Sequence, residues 1–310
     1  MKTYTYTLLA WLTMMGLMSA QLFWSDDSAN LIQMGNADGS GSPTTILSGL
    51  STPRGVGVDS ANSKVYYTEH GTSTLSRVNI NGTGNEVVVS ASGAGSRGLS
   101  LDLVNTEVYW VSFIADTISK ADYSLALPTT GTAVLSSRDT PTDVVLDVAG
   151  GKMYWGEAGS TQSIFRSNLD GSSVESLVTS ANPNFLAIDT LANKVYWTNS
   201  SANTVMRANL DGSNSETVYS VGLTVEGIAV DPHNQYIYYA ESTNGTINRT
   251  GYNPTPGSAI TLFSGLSAPH EITLIPEPST YALLFGGIAL AAVLARRHML
   301  RKKMATTVQE

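Results

Sequence analysis

The stretch that decides the fold is residues 189–213, which read DTLANKVYWTNSSANTVMRANLDGS. An Asp opens it, the aromatic pair Tyr196-Trp197 follows seven residues later, and it closes on Asp211-Gly212. Residues 194–198 are rich in β-branched and aromatic side chains, and residues 204–207 alternate apolar and polar ones, as half-buried strands do. The Asp-Gly pair supplies the positive φ that a tight hairpin turn requires. The stretch therefore predicts antiparallel strands joined by short turns.

The aromatic pair recurs along the chain at a nearly constant spacing. Successive copies are 43, 43, 45, 42 and 42 residues apart, at Phe23-Trp24, Tyr66-Tyr67, Tyr109-Trp110, Tyr154-Trp155, Tyr196-Trp197 and Tyr238-Tyr239. Five of the pairs have an Asp seven residues before them, namely Asp59, Asp102, Asp147, Asp189 and Asp231. Such a period indicates a repeat architecture, and four short strands in about 43 residues match one blade of a β-propeller.

The two ends of the repeat region complete each other. The first unit has no innermost strand of its own, because its aromatic strand begins close to residue 21. The missing strand is at the far end, where residues 265–272 (GLSAPHEI) repeat the pattern of residues 49–56 (GLSTPRGV). A C-terminal strand that completes the N-terminal blade closes the ring and removes a free sheet edge. We therefore predict an all-β, six-bladed β-propeller of four-stranded blades over residues 21–275.

The repeat resembles the YWTD repeat, also called the LDL-receptor class B repeat. The resemblance rests on an Asp, six residues, an aromatic strand of the Tyr-Trp-Thr-Asp type and a later Asn-Leu-Asp-Gly-Ser, and it is strongest at residues 189–213 and 147–172. The last residue of the aromatic motif varies, being Asp26, Glu69, Ser112, Glu157, Asn199 and Glu241. The third strand carries a basic residue in five units and Met34 in the first. The resemblance implies a receptor or matrix module.

We interpret the motif residues as structural. The acidic and basic positions are expected to link neighbouring blades by hydrogen bonds, and the aromatic side chains are expected to fill the core. The aromatic residues concerned are Trp24, Tyr66, Tyr109, Trp110, Tyr154, Trp155, Tyr196, Trp197 and Tyr238.

Charge and composition exclude several classes of function. Residues 21–275 contain 11 basic and 23 acidic side chains, a net charge of −12, which repels phosphate backbones. We therefore expect no nucleic-acid partner. The chain has no cysteine, which excludes disulfides, thiolate catalysis and Cys-based metal sites. The sequence predicts no metal and no other cofactor.

Residues 1–20 have the layout of a secretory signal peptide. Lys2 precedes the apolar run Leu8–Met18, and Ser19-Ala20 offers a cleavage site. An N-terminal membrane anchor is the alternative, but a run of eleven residues is too short to span about 30 Å of hydrocarbon.

Residues 276–303 resemble the PEP-CTERM sorting signal of Gram-negative bacteria. Pro276-Glu277-Pro278 precedes an apolar segment at residues 281–295 and a basic cluster at 296–303 that begins with Arg296-Arg297; residues 304–310 form a short tail. The resemblance implies an exosortase as processing partner and an inner-membrane precursor, anchored through residues 281–295, with the propeller outside the cytoplasm. A plain C-terminal anchor behind a Pro-rich linker is the alternative.

A ligand site must come from residues that differ between the blades. Five residues before each repeat Asp, at the top of each predicted inner strand, the side chains are not periodic. They are Arg54, Arg97, Thr142, Asn184 and Glu226, and the closing strand adds His270. A polar, uneven ring at a channel mouth is a candidate site for an anionic or sugar-like ligand. A solvated rim without a ligand is the alternative.

Catalytic arrangements are not apparent in the sequence. His70 and His270 are expected on the ligand-facing side, but no nucleophile motif accompanies them. The leading hypothesis is an exported binding or scaffold protein of the cell envelope or extracellular matrix, not an enzyme, with a protein or exopolysaccharide partner. The alternatives are a propeller hydrolase, lactonase or lyase that acts at the channel mouth, and a purely structural surface protein.

Overall fold

Each repeat of the sequence forms one four-stranded antiparallel sheet. The computed structural model describes residues 19–255 and 257–276. In chain order its strands are β1 (Gln21–Asp26), β2 (Leu31–Asn36), β3 (Thr44–Ser48), β4 (Pro53–Asp59), β5 (Lys64–Glu69), β6 (Thr74–Asn79), β7 (Glu86–Val89), β8 (Ser96–Asp102), β9 (Glu107–Ser112), β10 (Thr117–Asp122), β11 (Thr132–Leu135), β12 (Pro141–Asp147), β13 (Lys152–Glu157), β14 (Ile164–Asn168), β15 (Glu175–Val178), β16 (Pro183–Asp189), β17 (Lys194–Asn199), β18 (Thr204–Asn209), β19 (Glu216–Ser220), β20 (Val225–Asp231), β21 (Tyr236–Glu241), β22 (Thr246–Gly251), β23 (Ile260–Phe263) and β24 (Pro269–Ile275).

These strands build six blades around a central channel. Blade 1 has the order β24-β1-β2-β3 from inside to outside, and blades 2 to 6 use four consecutive strands each, from β4-β5-β6-β7 to β20-β21-β22-β23. Each innermost strand contacts the innermost strands of both neighbouring blades, so the six of them form a closed cycle. The predicted all-β, six-bladed propeller of four-stranded blades is confirmed.

The repeat Asp at the end of each inner strand caps the turn into the aromatic strand. Oδ1 of Asp189 accepts a hydrogen bond from the amide of Ala192 at 2.8 Å. Its counterparts Asp59, Asp102, Asp147 and Asp231 bind the amide three residues on in the same way. The side chain thus satisfies a backbone donor that the turn leaves free.

The Asp-Gly turn between the third and fourth strands follows the predicted chemistry. Gly212 has a φ of 83°, and its amide donates to the carbonyl of Asn209 at 2.8 Å. Asp211 accepts a hydrogen bond from the amide of Ser213 at 2.9 Å. A positive φ at this point is strained for any side chain with a Cβ, which explains the glycine.

The ring is closed by the last strand. In blade 1, β24 pairs antiparallel with β1, so that Trp24 lies opposite Ile272 and Gln21 opposite Ile275. The Asp26 carboxylate accepts hydrogen bonds from the amides of Ser267 and Ala268 at 2.9 and 3.0 Å. These contacts join residues more than 240 positions apart, and they leave no free edge at the channel.

The core lies between the blades, and its largest buried side chains are aromatic. All nine aromatic residues assigned a structural role have exposed fractions of 2% or less. Phe185, Tyr196, Ile228 and Tyr239 of blades 5 and 6 belong to one such cluster. Burial of large rings at each interface holds adjacent blades together.

In four blades the basic residue of the third strand is an arginine that reaches the next blade, whereas Lys120 bonds Glu107 of its own blade. The Arg207 guanidinium donates to the Tyr252 carbonyl at 2.8 Å, and that of Arg166 donates to the Leu210 carbonyl at 2.8 Å. Arg77 and Arg249 make similar, longer contacts with the carbonyls of Tyr123 and Ala37. The first blade has Met34 at this position and makes no such bond within the described residues.

Several predictions for the two ends lie outside the described residues. They concern most of the signal peptide, residues 1–18, and the sorting segment from Glu277 onward, with the apolar stretch 281–295 and the cluster that begins with Arg296-Arg297. Between residues 19 and 276, omitting 256, no helix is long and apolar enough to cross a membrane.

Candidate functional site

All six residues of the predicted ring occupy the second position of an innermost strand. Arg54, Arg97, Thr142, Asn184, Glu226 and His270 are the second residues of β4, β8, β12, β16, β20 and β24. Because these strands run in the same direction around the channel, the six positions form one layer, here called the mouth layer. Thr142, Asn184 and His270 are buried, and the other three are half-buried. The layer is more enclosed than a solvated rim.

Three members of the mouth layer come together around Glu226. The Asn184 amide donates to Glu226 Oε2 at 2.6 Å. His270 Nε2 lies 3.8 Å from the same oxygen, and its ring packs edge-on against Phe185 with 4.9 Å between the centroids. Blades 5, 6 and 1 therefore supply one polar cluster. Burial raises the pKa of Glu226, although the Asn184 hydrogen bond and the two arginines act in the opposite direction.

The two arginines have unlike environments. Arg54 lies 3.5 Å from the Asp27 carboxylate, an ion pair at moderate distance. The Arg97 guanidinium lies over the Phe113 ring, 4.8 Å from its centroid. Among the described residues Arg97 has no carboxylate within ion-pair distance, and its buried Nε has no hydrogen-bond partner. Burial and the nearby charge of Arg54 lower the pKa of Arg97 to about 10.

Both histidines near the mouth are held in the neutral form. Burial lowers the pKa of His70, and the charges of Arg54 and Arg97 lower it further. The pKa of His270 lies well below its usual range, first because of burial and then because of the same two arginines. The Nδ1 atoms of both rings are buried without a hydrogen-bond partner among the described residues. An anion placed among these groups would meet donors that are already desolvated.

Thr142 does not join the other members of the layer. Its hydroxyl donates to the carbonyl of Pro183 in the next blade at 3.3 Å. The Thr142 hydroxyl and the Pro183 ring both lie beside Gly156, where a larger residue would leave no room for them. The side chain is 1% exposed and serves the contact between blades 4 and 5.

A second ring, of which sequence reasoning singled out only His70, lies next to the mouth layer. It consists of the residue that follows each aromatic strand, three positions after the aromatic pair. The members are Asp27, His70, Phe113, Ala158, Ser200 and Ser242. Three of them contact the mouth layer directly, Asp27 with Arg54, Phe113 with Arg97, and Ser242 with Glu226 at 3.5 Å. The constant offset from the aromatic pair was the signal that could have found them.

Sequence reasoning also missed the layer directly below the mouth. The third residues of the inner strands are Gly55, Gly98, Asp143, Phe185, Gly227 and Glu271. Asp143 and Glu271 come from blades 4 and 1, on opposite sides of the channel, and are 3% and 6% exposed. A Cβ at position 98 would overlap the Asp143 carboxyl, so glycine makes room for it. Neither acid belongs to a repeat motif, which is why the sequence pattern gave no indication of them.

The described residues hold no arrangement typical of catalysis by metal ions. Within residues 19–255 and 257–276, no three His, Asp or Glu side chains form a group that could hold a metal ion. His233 follows β20 at the end of the channel opposite the mouth, and His298 lies outside the described residues.

Comparison with known proteins places one repeat in a family. The family model of the low-density lipoprotein receptor repeat class B matches residues 193–232. This segment runs from the turn before β17 to the residue after β20, which is one full period of the sequence.

Solved structures of the same shape belong to proteins of different kinds. A chain of the nidogen–laminin complex has a TM-score of 0.72 at 15% identity, with 83% of this chain and 98% of that chain covered. TolB from Acinetobacter baumannii has a TM-score of 0.66 at 15% identity, with 83% and 66% covered. A gluconolactonase from Xanthomonas campestris has a TM-score of 0.60 at 14% identity, with 76% and 86% covered. At this level of identity the likeness concerns the fold alone.

Proposed function

We propose that this chain is an exported, non-enzymatic binding or scaffold protein whose propeller engages an anionic protein or polysaccharide partner at the channel mouth. The observation that carries the proposal is Arg97, a guanidinium with a buried Nε, a neighbouring Arg54 and no carboxylate partner among the described residues. A charge held in this way is unfavourable in the free protein. A carboxylate or sulfate of a partner would supply the missing acceptor.

The surroundings of Arg97 favour an anionic group of limited size. Arg54 and Arg97 both lie near enough to His70 and His270 to lower the pKa of the two rings, so the positive potential of the two guanidiniums overlaps at one place. Asp27 and Glu226 flank the arginines and would repel an anion that is misplaced. An acidic side chain of a protein or an acidic sugar fits this arrangement. The solved complex of nidogen with laminin is one case in which a chain of similar fold meets a protein partner.

Capture of partners tests the proposal. Purified protein would be used to recover proteins from an envelope extract and to probe an array of neutral and acidic glycans. Arg97→Gln should weaken the recovered interaction at least tenfold, and Arg54→Gln should weaken it less, because Arg54 already has Asp27 as a partner. Lys64→Gln removes a positive charge from the second strand of blade 2, on the face opposite the mouth, and should leave binding unchanged. Equal binding by Arg97→Gln and Lys64→Gln would contradict an anion site at the mouth.

The pH dependence of that interaction gives a second readout. An anion beside His70 and His270 raises the pKa of both rings, which in the free protein lies below the usual value. Binding is then accompanied by proton uptake, so affinity should increase as the pH falls from 7.5 to 5.5. His270→Gln should reduce this increase. A partner that binds through neutral groups would show a flat profile.

The location of the protein is part of the same proposal. Residues 1–20 and the Pro276-Glu277-Pro278 segment support export as an inner-membrane precursor that an exosortase processes to the envelope or the extracellular matrix. Replacement of Pro276, Glu277 and Pro278 by Ala should leave unprocessed precursor in the membrane fraction. The matched control replaces Ser279 and Thr280, next to the motif, and should be processed normally. Normal processing of the triple variant would contradict the proposal that an exosortase recognises this motif.

A lactonase is the second candidate, and one contact favours it. Asn184 and Glu226 are joined at 2.6 Å beside His270, and one chain of similar fold is a gluconolactonase. Hydrolysis of glucono-δ-lactone with added Ca²⁺, Mn²⁺ or Zn²⁺, abolished by Glu226→Gln, would establish that activity in place of the binding role. If neither turnover nor a partner is found, the chain is a structural surface protein.

A further inference from the structure

Below the mouth and the carboxyl-bearing third layer, the channel contains a cavity of about 270 Å³. Its upper wall is formed by the fourth residues of the inner strands, among them Val56, Leu99, Leu186, Ile228 and Ile272. Further down, aliphatic side chains from the ends of the same strands line it, and Leu103, which is 48% exposed, stands at its opening. We call this cavity the lower well.

Two buried carboxyl groups close the upper end of the lower well, beneath the mouth layer. Asp143 and Glu271 both line the cavity. The Asp143 oxygens accept hydrogen bonds from the amides of Val144 and Leu186, each at 2.8 Å. Oε2 of Glu271 is buried and has no hydrogen-bond partner among the described residues. An acceptor left unpaired in an aliphatic cavity is a position where a ligand donor would be stabilising.

The carboxyl pair of Asp143 and Glu271 retains a proton at neutral pH. Burial raises the pKa of Asp143 to about 7, and that of Glu271 lies well above its usual range because of burial and the nearby Asp143. Arg97 on β8 acts in the opposite direction on both. The other ionisable groups of the surrounding layer are Arg54, Glu226, His70 and His270, while β16 contributes the apolar Phe185. Two carboxyls facing one arginine carry less than two negative charges.

We propose that the lower well binds a small primary amine with an apolar body, whose ammonium group lies between Asp143 and Glu271. The aliphatic walls accommodate the body, and the ammonium donates to the unpaired Glu271 oxygen. Binding of the protonated amine completes the ionisation of the carboxyl pair and releases one proton to solvent. The net charge of −12 on residues 21–275 attracts such a cation.

Size and donor set favour an organic cation. A cavity of about 150 Å³ holds a benzene-sized molecule, so the 270 Å³ of the lower well accommodates a ring with a short amine chain. A bare metal ion requires more oxygen ligands than two carboxyls provide, and the described residues contain no group of three His, Asp or Glu side chains that could hold one. The site is formed by residues other than those of the mouth layer, so this proposal does not depend on the proposed partner.

Calorimetric titration of the purified full-length protein with 2-phenylethylamine tests this site. Measured at pH 7 in phosphate and in HEPES, binding should be saturable, and its heat should differ between the buffers because a proton is released. The neutral isostere 2-phenylethanol should bind at least tenfold more weakly, and 3-phenylpropionate should not bind. Absence of saturable amine binding, or equal affinity for the alcohol, overturns the proposal.

Variants separate the carboxyl pair from the cavity. Glu271→Gln and Asp143→Asn should each weaken amine binding at least tenfold and remove the buffer dependence of the heat. Glu216→Gln removes one negative charge on the outer surface and should change nothing. Val58→Trp narrows the well at a half-buried position and should block the amine, with the fold checked by circular dichroism. Undiminished binding by both carboxyl variants would contradict the assignment.

Discussion

Blade 1 and blade 5 have the same four-stranded layout, but they are assembled from different stretches of chain. Blade 5 is continuous, from β16 to β19, whereas blade 1 joins β24 from the end of the propeller to β1 from its beginning. They also differ at matched positions. Blade 1 has Asp26, Glu271 and Met34 where blade 5 has Asn199, Phe185 and Arg207. Blade 1 is held by long-range contacts, and blade 5 by local ones.

The difference between the two blades explains why the propeller should unfold cooperatively. Each blade buries its aromatic side chains against both neighbours, so an open ring exposes two interfaces at once. Loss of blade 1 therefore affects the whole propeller, while a local change in blade 5 is limited to its own contacts. The following changes test that contrast, in order of decreasing expected effect.

The largest effect is expected from removal of Ser267–Leu274, which takes away most of β24. Deletion exposes the edge of β1 and removes the partners of Asp26, so the whole domain should lose its cooperative unfolding transition. The matched control is deletion of Gly222, which shortens the connection between β19 and β20 and should leave one cooperative transition. An intact thermal transition in the variant that lacks Ser267–Leu274 would contradict closure of the ring by β24.

Asp26→Ala and Asn199→Ala compare the same motif position in the two blades. Asp26 is 1% exposed and accepts from Ser267 and Ala268 across the closure, so its loss should lower the free energy of unfolding by about 3 kcal/mol. Asn199 accepts from the nearby amides of Ser201 and Ala202, and about 1 kcal/mol is expected there. Chemical denaturation measures both. Equal losses would show that closure adds nothing at this position.

Glu271 of blade 1 occupies the strand position that Phe185 occupies in blade 5, and Glu271→Gln tests the effect of its ionisable carboxyl group. The pKa of Glu271 in the folded protein lies above that of an unfolded carboxyl, so the folded state binds more protons between pH 5 and 7. The wild-type protein should therefore lose stability as the pH rises through this range, and the variant should lose less. Melting temperatures at pH 5 and 7.5 measure the slope. Glu216→Gln, on the surface, should keep the wild-type slope.

The smallest effects concern the third-strand cation. Arg207 bonds Glu216 at 2.7 Å and the Tyr252 carbonyl at 2.8 Å, and Arg207→Met should cost about 1 kcal/mol because Glu216 is exposed. In blade 1 Met34 lies opposite Thr44, as Arg207 lies opposite Glu216. The double change Met34→Arg with Thr44→Glu should therefore stabilise blade 1 by about 0.5 kcal/mol. Denaturant midpoints would show whether the pair transfers.

The period of the sequence was enough to predict the blades, and it reached part of the site. Repeated Asp and aromatic residues define each strand, and a constant offset from them places Arg54 and Arg97 at the mouth. Thr142 has the same offset, yet its hydroxyl turns to the next blade, because side-chain direction depends on the local partner and not on the period. Asp143 and Glu271 are 128 residues apart, and only the closed ring brings them together.

The closing strand also sets an order of events. β24 carries His270 of the mouth, Glu271 of the lower well and the partners of β1, and it is the last strand of the propeller to be synthesised. Neither candidate site is complete until this strand has docked. A chain that is still emerging therefore presents neither candidate site complete, because both need residues of β24.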